Sequence, residues 1–294
     1  MQNPAEKIFS IPTFDYNRTE PCIVRETAHW AVVYKPPHLP TAPLRADERN
    51  TLVYWFLHSP EVQKQSAEYG LRSREAQVRG KKEIEAGLLH RLDTDTRGLV
   101  LFAKNQAVYD FLAARQEAGQ MIKTYCAFVE PNRVPEIDNG YGFGATELSM
   151  LKELSVAQRG IAAQLPLTLE SQFRNFGPGA KRVAPVFPGS RHYKKDGRLY
   201  TTVIEAADIL PSPPLIRVRC RLSRGYRHQV RAHLAAAGLP IVGDPLYAPQ
   251  GAEAQPESAQ VSLQLYAVSL AFPDPENPRQ SIRVALPPPD KMTP

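Results

Sequence analysis

Hydrophobic positions along the chain fall into short runs separated by polar turns. Residues 23–24 and 30–34 (WAVVY) flank one such turn and read as strands, the second stopped by Lys35-Pro36-Pro37. Residues 99–102 (LVLF) are a continuous apolar run of strand length. The stretch 121–129, MIKTYCAFV, reads as a strand with Lys123, Tyr125 and Ala127 on one face and Ile122, Thr124 and Phe128 on the other. Strands are predicted at 200–207 and 215–222. In the latter, Ile216, Val218, Cys220 and Leu222 face one way and Arg217, Arg219 and Arg221 the other. Runs at 261–272 and 281–286 close the set. Three segments carry helical spacing instead. Asn50 or Thr51 caps a short helix with Leu52, Trp55 and Phe56 at i, i+3, i+4. Asn105 caps a second, with Val108, Phe111 and Leu112 inward and Gly119 at its end. Residues 226–237 form a third, stopped by Gly238, with Val230, His233, Leu234 and Ala237 on its apolar side. Strands outnumber helices without alternating regularly. This predicts an α+β fold with a mixed, mostly antiparallel central sheet flanked by helices and loops.

The segments outside this pattern are polar. Residues 1–21 contain three prolines and read as an extended N-terminal arm. Residues 61–85 are locally basic, with Arg72, Arg74, Arg79, Lys81 and Lys82. Residues 130–197 are rich in Gly, Pro and Asn and carry Lys181, Arg182, Lys194 and Lys195. The expected organisation is one domain over 22–294, with basic insertions near 60–86 and 130–197. An apolar fraction of 43% allows a sizeable core. The net charge of +6 and pI of about 9.2 favour a polyanionic partner such as nucleic acid. Cys22, Cys126 and Cys220 are far apart and form no CxxC pair, which argues for buried thiols in a reducing compartment. The N-terminus has no apolar h-region, and no run approaches bilayer-spanning length. A cytoplasmic protein with no membrane association, acting as a monomer, is the expectation.

Chemistry concentrates at 88–104, LLHRLDTDTRGLVLFAK, where a charged turn abuts the buried 99–102 strand. Asp93, beside His90 and Arg91, is a nucleophile, a general base or a structural ion-pair partner. Asp93-Thr94-Asp95 has the form of a metal-binding DxD. The further oxygen ligands such a site needs are not recognisable nearby, so no metal is expected. Arg217, Arg219 and Arg221 either line a phosphate groove or are solvated. Arg231 could simply cap Asp244, and His233 packs.

Three segments, in order, carry a specific resemblance. HRLDTDTRGLVLFAK is similar to the HRLDxxTSGLLLFAK signature of the RluA-type RNA pseudouridine synthases. IKTYCAFV resembles their KxYxA(L/V)V segment, and GYRHQVRAHLAAAGLPIVGDPLY their GRxHQIRVHLxxxGxPIxGDxxY segment. The resemblance extends from about Cys22 to Leu286. It implies the pseudouridine synthase catalytic fold and isomerisation of specific uridines in structured ribosomal or transfer RNA, with neither cofactor nor metal. It assigns Asp93 as catalytic aspartate, Tyr125 as active-site tyrosine and Arg231 as the aspartate's partner. Arg91 matches a residue implicated in taking the target nucleotide out of its stack. Lys35, His90, Lys123, Arg224, Arg227 and His228 join it as expected RNA contacts.

These residue types suit the chemistry. The N1–C1′ bond must break, the uracil must rotate, and C5 must bond to C1′. An ionised carboxylate can attack the sugar carbon or stabilise a cation-like sugar. An adjacent arginine lowers a carboxyl pKa and fixes its position. A tyrosine can stack on the uracil and assist proton removal. Reaching C1′ requires a flipped base. The chain departs from the family pattern at Arg97 (usually serine), at Tyr226-Arg227 (usually arginine and a small or hydroxyl residue) and at Tyr266 (often histidine). These departures are expected at the rim of the site. The family often carries an S4-like RNA-binding domain, and none is expected before the first catalytic strand here. Two other readings stand beside the isomerase: a non-catalytic RNA-binding protein that reuses the fold, and a glycosidase or nucleosidase, which lacks a clearly paired second carboxylate.

Overall fold

The computed structural model describes residues 5–60, 62, 78–129, 165–211, 214–247 and 261–293. Much of both expected basic insertions, including Arg72 and Arg74, lies outside the described residues. The chain divides into two compact units, residues 1–123 with 266–289, and residues 124–265 with 290–294.

In the first unit, β2 (Cys22–Glu26) pairs antiparallel with β3 (Trp30–Lys35), and β3 with β4 (Arg97–Ala103). β4 runs parallel to β10 (Leu265–Pro273), which pairs antiparallel with β11 (Gln280–Ala285). β1 (Ala5–Ser10) lies parallel to β11, so the polar arm begins as an edge strand. Every residue of β3 and β4 is buried. That accounts for their unbroken apolar runs, since strands covered on both faces have no polar side to alternate with. The helix α1 (Leu52–His58) is capped by Thr51, whose side chain accepts from Tyr54 N. Its Phe56 stacks on Phe102 of β4 at 4.1 Å. The helix α2 (Gln106–Glu117) is capped by Asn105, which accepts from Val108 N. At the far end of β4, the buried Lys104 pairs with Glu26.

In the second unit, β5 (Ile122–Val129) lies beside β9 (Pro214–Leu222). β9 pairs antiparallel with β8 (Tyr200–Pro211), β8 with β6 (Leu167–Phe176), and β6 with β7 (Arg182–Val186). Ile216, Val218, Cys220 and Leu222 are buried, as their alternation predicts. The helix α3 (Gln229–Ala236) starts three residues later than its spacing suggests, because His228 holds φ +55° and Tyr226 N bonds Gln229 Oε1. α3 packs Ala232 and Ala235 against Val183 and Tyr247, and Phe173 stacks on Tyr226 at 5.0 Å. The mixed, mostly antiparallel strand pairing agrees with the expected fold class. Cys126 and Cys220 are buried free thiols, as expected. Among the described residues, no helix is long and apolar enough to cross a membrane.

Where β4 meets β10, Gly98 holds φ +131°, and a Cβ there would lie 2.6 Å from Ala267 N and 2.8 Å from its carbonyl carbon. Backbone strain and collision act together, so Gly98→Ala is expected to cost about 3 kcal/mol. Urea unfolding of the variant checks this.

Candidate active site

Asp93 lies half-buried in a tight turn ahead of β4, closed by a hydrogen bond from Thr96 N to Asp93 O at 3.1 Å. The segment leaving β3 braces it. Thr41 Oγ1 donates to Leu92 O at 2.7 Å and accepts from Leu92 N at 3.1 Å. Lys35, fully buried, donates to Pro36 O, Leu39 O and Thr94 O, each at 2.8 Å. An ammonium has three hydrogens, and all three are used. Burial lowers the Lys35 pKa to about 7, with Asp93 and Asp95 opposing the fall. Lys35 therefore organises the Asp93 turn. Its expected contact with RNA phosphate is corrected, because neither surface nor donor is left for one.

Asp95 accepts from the exposed His38 at 3.1 Å. Arg91 is exposed, with its Nη1 3.8 Å from the buried Glu85. His90 is buried, and its Nε2 lies 3.3 Å from Leu99 O. A carbonyl only accepts, so Nε2 carries the hydrogen. Burial, then Lys123, pushes the His90 pKa well below the ordinary value, so it is neutral. Lys123 is itself buried, and burial alone lowers its pKa to about 8.

In the second unit, Tyr125 is buried on β5. The segment 239–247 joins the same strand, with a bridge between Val129 and Ile241 and a bond from Val242 N to Phe128 O at 2.9 Å. It delivers Asp244 to α3. Arg231 Nε and Nη2 each donate to an Asp244 carboxylate oxygen at 2.8 Å, and both side chains are buried. Asp244 Oδ1 also accepts from Leu246 N and Tyr247 N. The capping of Asp244 by Arg231 is thus realised. Two parallel bonds to a fixed carboxylate hold the guanidinium rigid. His228 Nδ1 lies 3.2 Å from the Tyr247 hydroxyl.

Other expected RNA contacts divide. Arg224 is exposed. Arg227 is exposed too, but its Nη2 donates to Asn175 Oδ1, Ala180 O and Arg182 O, tying the β6–β7 turn to the start of α3. Of the alternatives posed for the arginine face of β9, the solvated one holds for Arg219 and Arg221, which are exposed, and the face is paired with acids. Arg217 pairs with Asp208 and Asp290, and Arg219 and Arg221 with Glu205, so acids of β8 and the C-terminal segment meet this charge. Arg97 and Tyr266 are buried rather than at a rim, with the Arg97 guanidinium 5.3 Å from the Tyr266 ring centroid.

Within the first unit the structure gathers Lys35, His90, Arg91, Asp93 and Lys123 around one turn. Within the second it sets Arg231 and His228 against the 239–247 segment, with Tyr125 on the strand β5 that this segment joins. Thr41 was missed as a brace. A threonine in a Pro-flanked loop has no pattern that announces a partner 51 residues away.

Against known families, this architecture and the Asp93 turn define a class. Residues 29–236 match the family described as RNA pseudouridylate synthase, and the chain belongs to that family. Of the three RluA-type segments read in the sequence, two fall within the match and the third runs across its end, from 225 to 247. An uncharacterized RNA pseudouridine synthase of Chloroflexus aurantiacus is 29% identical over 168 residues, covering 57% of this chain and 40% of that protein. Ribosomal large subunit pseudouridine synthase D of Pseudomonas aeruginosa is 26% identical over 226 residues, covering 76% and 52%. The chain spans about half the length of the curated relatives it matches. Human RNA pseudouridylate synthase domain containing 4 shares the fold, with a TM-score of 0.56 at 17% identity over 91% of this chain and 88% of that one.

Lys35→Met leaves three carbonyls without their donor. It is expected to destabilise the first unit by about 3 kcal/mol, read by denaturant unfolding. Acid acts through His233, whose nitrogens lie 2.9 Å from Ser171 Oγ and Thr202 Oγ1 and whose pKa burial lowers to about 3. The unfolded state protonates this histidine first, so its contribution to stability is full above about pH 6.5 and falls toward about pH 3. Between about pH 6.5 and about pH 5 the expected loss is about 2 kcal/mol for His233. His233→Gln should flatten that part of the pH–stability curve.

Proposed function

We propose that this chain isomerises specific uridines in structured RNA to pseudouridine through Asp93. The observation that carries the reading is the family match over residues 29–236, which includes the Asp93 turn. The names of relatives described as ribosomal large subunit pseudouridine synthases favour ribosomal RNA as substrate, with transfer RNA the alternative. The cytoplasm is the proposed compartment, in keeping with three free cysteines.

The physical state of the turn suits the task. A half-buried carboxylate held by a braced backbone is both reachable and fixed, which favours a near-attack geometry. Asp93 acts on the sugar at C1′, by attack or by stabilising positive charge there, while the N1–C1′ electron pair leaves with the uracil. The base rotates, C5 bonds to C1′ as the carboxylate is released, and the proton lost from C5 is balanced by one taken up at N1, so that product and substrate are isomers. The exposed Arg91, only 3.8 Å from the Glu85 carboxylate, is the residue that enters the stack beside the flipped base. The roles of Tyr125 as the ring on the uracil and Arg231 as the aspartate's partner belong to the same proposal.

Asp93→Asn is expected to fold with unchanged thermal stability, to bind RNA, and to form no pseudouridine. Carbodiimide labelling of RNA from cells lacking the protein, treated with wild type or variant, checks it. Conversion by the variant overturns the role of Asp93. Binding without conversion by the wild type favours the non-catalytic reading.

A further inference from the structure

We infer that Lys123 is the receptor for a backbone phosphate of the target nucleotide, a proposal that rests on RNA being the substrate. The ground is a charge left without an anion. Lys123 is buried, yet among the described residues its ammonium has no hydrogen-bond or ion-pair partner. The residue is 5% exposed, so its stem is packed and only a small part of it meets solvent.

The neighbouring charges explain why no side chain answers it. The ionisable group of the turn coupled to Lys123 is His90, which is neutral and carries its hydrogen on Nε2 toward Leu99 O. His90 Nδ1 is also buried without a partner among the described residues, so it too offers no negative charge. The carboxylates of the turn are directed elsewhere. Asp95 takes His38, Glu85 faces Arg91, and Asp93 acts on Lys35. No carboxylate raises the pKa of Lys123, which stands at about 8 through burial alone.

A buried ammonium without a counter-charge is costly. The free protein gains nothing from keeping one; the gain comes when an anion arrives. The residue acts electrostatically on His90, three positions before Asp93, and Tyr125 follows two positions later on β5. A nucleotide whose sugar is presented to Asp93 carries its phosphate on the same sugar, and Lys123 is the unanswered charge of this unit that would receive it. The lysine is a point charge with rotatable donors, suited to one phosphate oxygen rather than to a planar bidentate contact.

Three measurements test this with Lys123→Gln, Lys123→Arg and Lys123→Met, using RNA from cells lacking the protein. Lys123→Gln is expected to raise KM about tenfold or more with kcat nearly unchanged, because the contact is made in both ground and transition states. The salt dependence of RNA binding should lose a slope of about 0.7 to 0.9, one phosphate's worth of released counterion. For the wild type, KM should rise above about pH 8 as the ammonium deprotonates; Lys123→Arg, always charged, should abolish that break. Any change from Lys35, whose pKa is about 7, persists in all variants and is thereby separated. Lys123→Met should melt higher than wild type below about pH 8, since the cost of the buried charge is gone. An unchanged KM and salt slope in Lys123→Gln overturns the proposal, as does a lower melting temperature for Lys123→Met, which marks a structural lysine. If the wild type converts no uridine yet shows the Lys123-dependent salt slope, the isomerase reading fails and the phosphate contact stands.

Discussion

One ammonium group fixes the geometry on which the Asp93 turn depends. Lys35 closes β3 and spends its three donors on carbonyls that no regular ladder satisfies: two in the loop that leaves β3, one in the Asp93 turn itself. Buried carbonyls without donors cost about 1–3 kcal/mol each, so the cation substitutes for a strand's worth of pairing. Pro36 and Pro37 cannot supply an N–H, which makes a side-chain donor necessary at this point. Burial works against the charge, and the nearby Asp93 and Asp95 work for it. The turn is therefore held by an electrostatic balance as well as by the Thr41 clasp.

The two buried lysines of this region show how the same residue type takes opposite roles. Lys35 is saturated by fixed acceptors, and Lys123 has none among the described residues. Saturation makes a residue structural, because any ligand would have to displace bonds already made. An unanswered charge makes a residue available, because binding then relieves a cost that the free protein carries.

Much of the fold was legible because its signals are local. Thr51 and Asn105 announce α1 and α2 through the oxygen that accepts from the third residue on. The alternation of β9 announces its buried face. What was not legible is non-local. β1 (AEKIFS) is exposed along nearly its whole length, so no periodicity marks it, and its partner β11 comes from the other end of the chain. The arginines of β9 look like a phosphate groove until the β8–β9 register sets Asp208 opposite Arg217 and brings Glu205 to Arg219 and Arg221. The site divides the same way. Asp93 and Arg91 announce themselves in one short motif, while the saturation of Lys35 depends on where three carbonyls come to lie.

The departures from the family pattern gain a physical sense once they are paired. Arg97 opens β4, and Tyr266 stands opposite it in the parallel pairing with β10. The guanidinium lies 5.3 Å from the Tyr266 ring and donates to Tyr16 O at 3.3 Å, while Tyr16 packs edge-on against Tyr266 and bonds Pro287 O through its hydroxyl. A buried arginine needs both a face to stack on and an acceptor, and this chain supplies the face from β10 and the acceptor from its N-terminal segment. Changing serine to arginine alone would bury an uncompensated charge. Changing it together with the histidine position, with the arm laid across both, converts that charge into the anchor of the arm. The arm is thus tied to the first residue after the Asp93 turn, so its aromatic residues belong to the support of the site as much as β3 does.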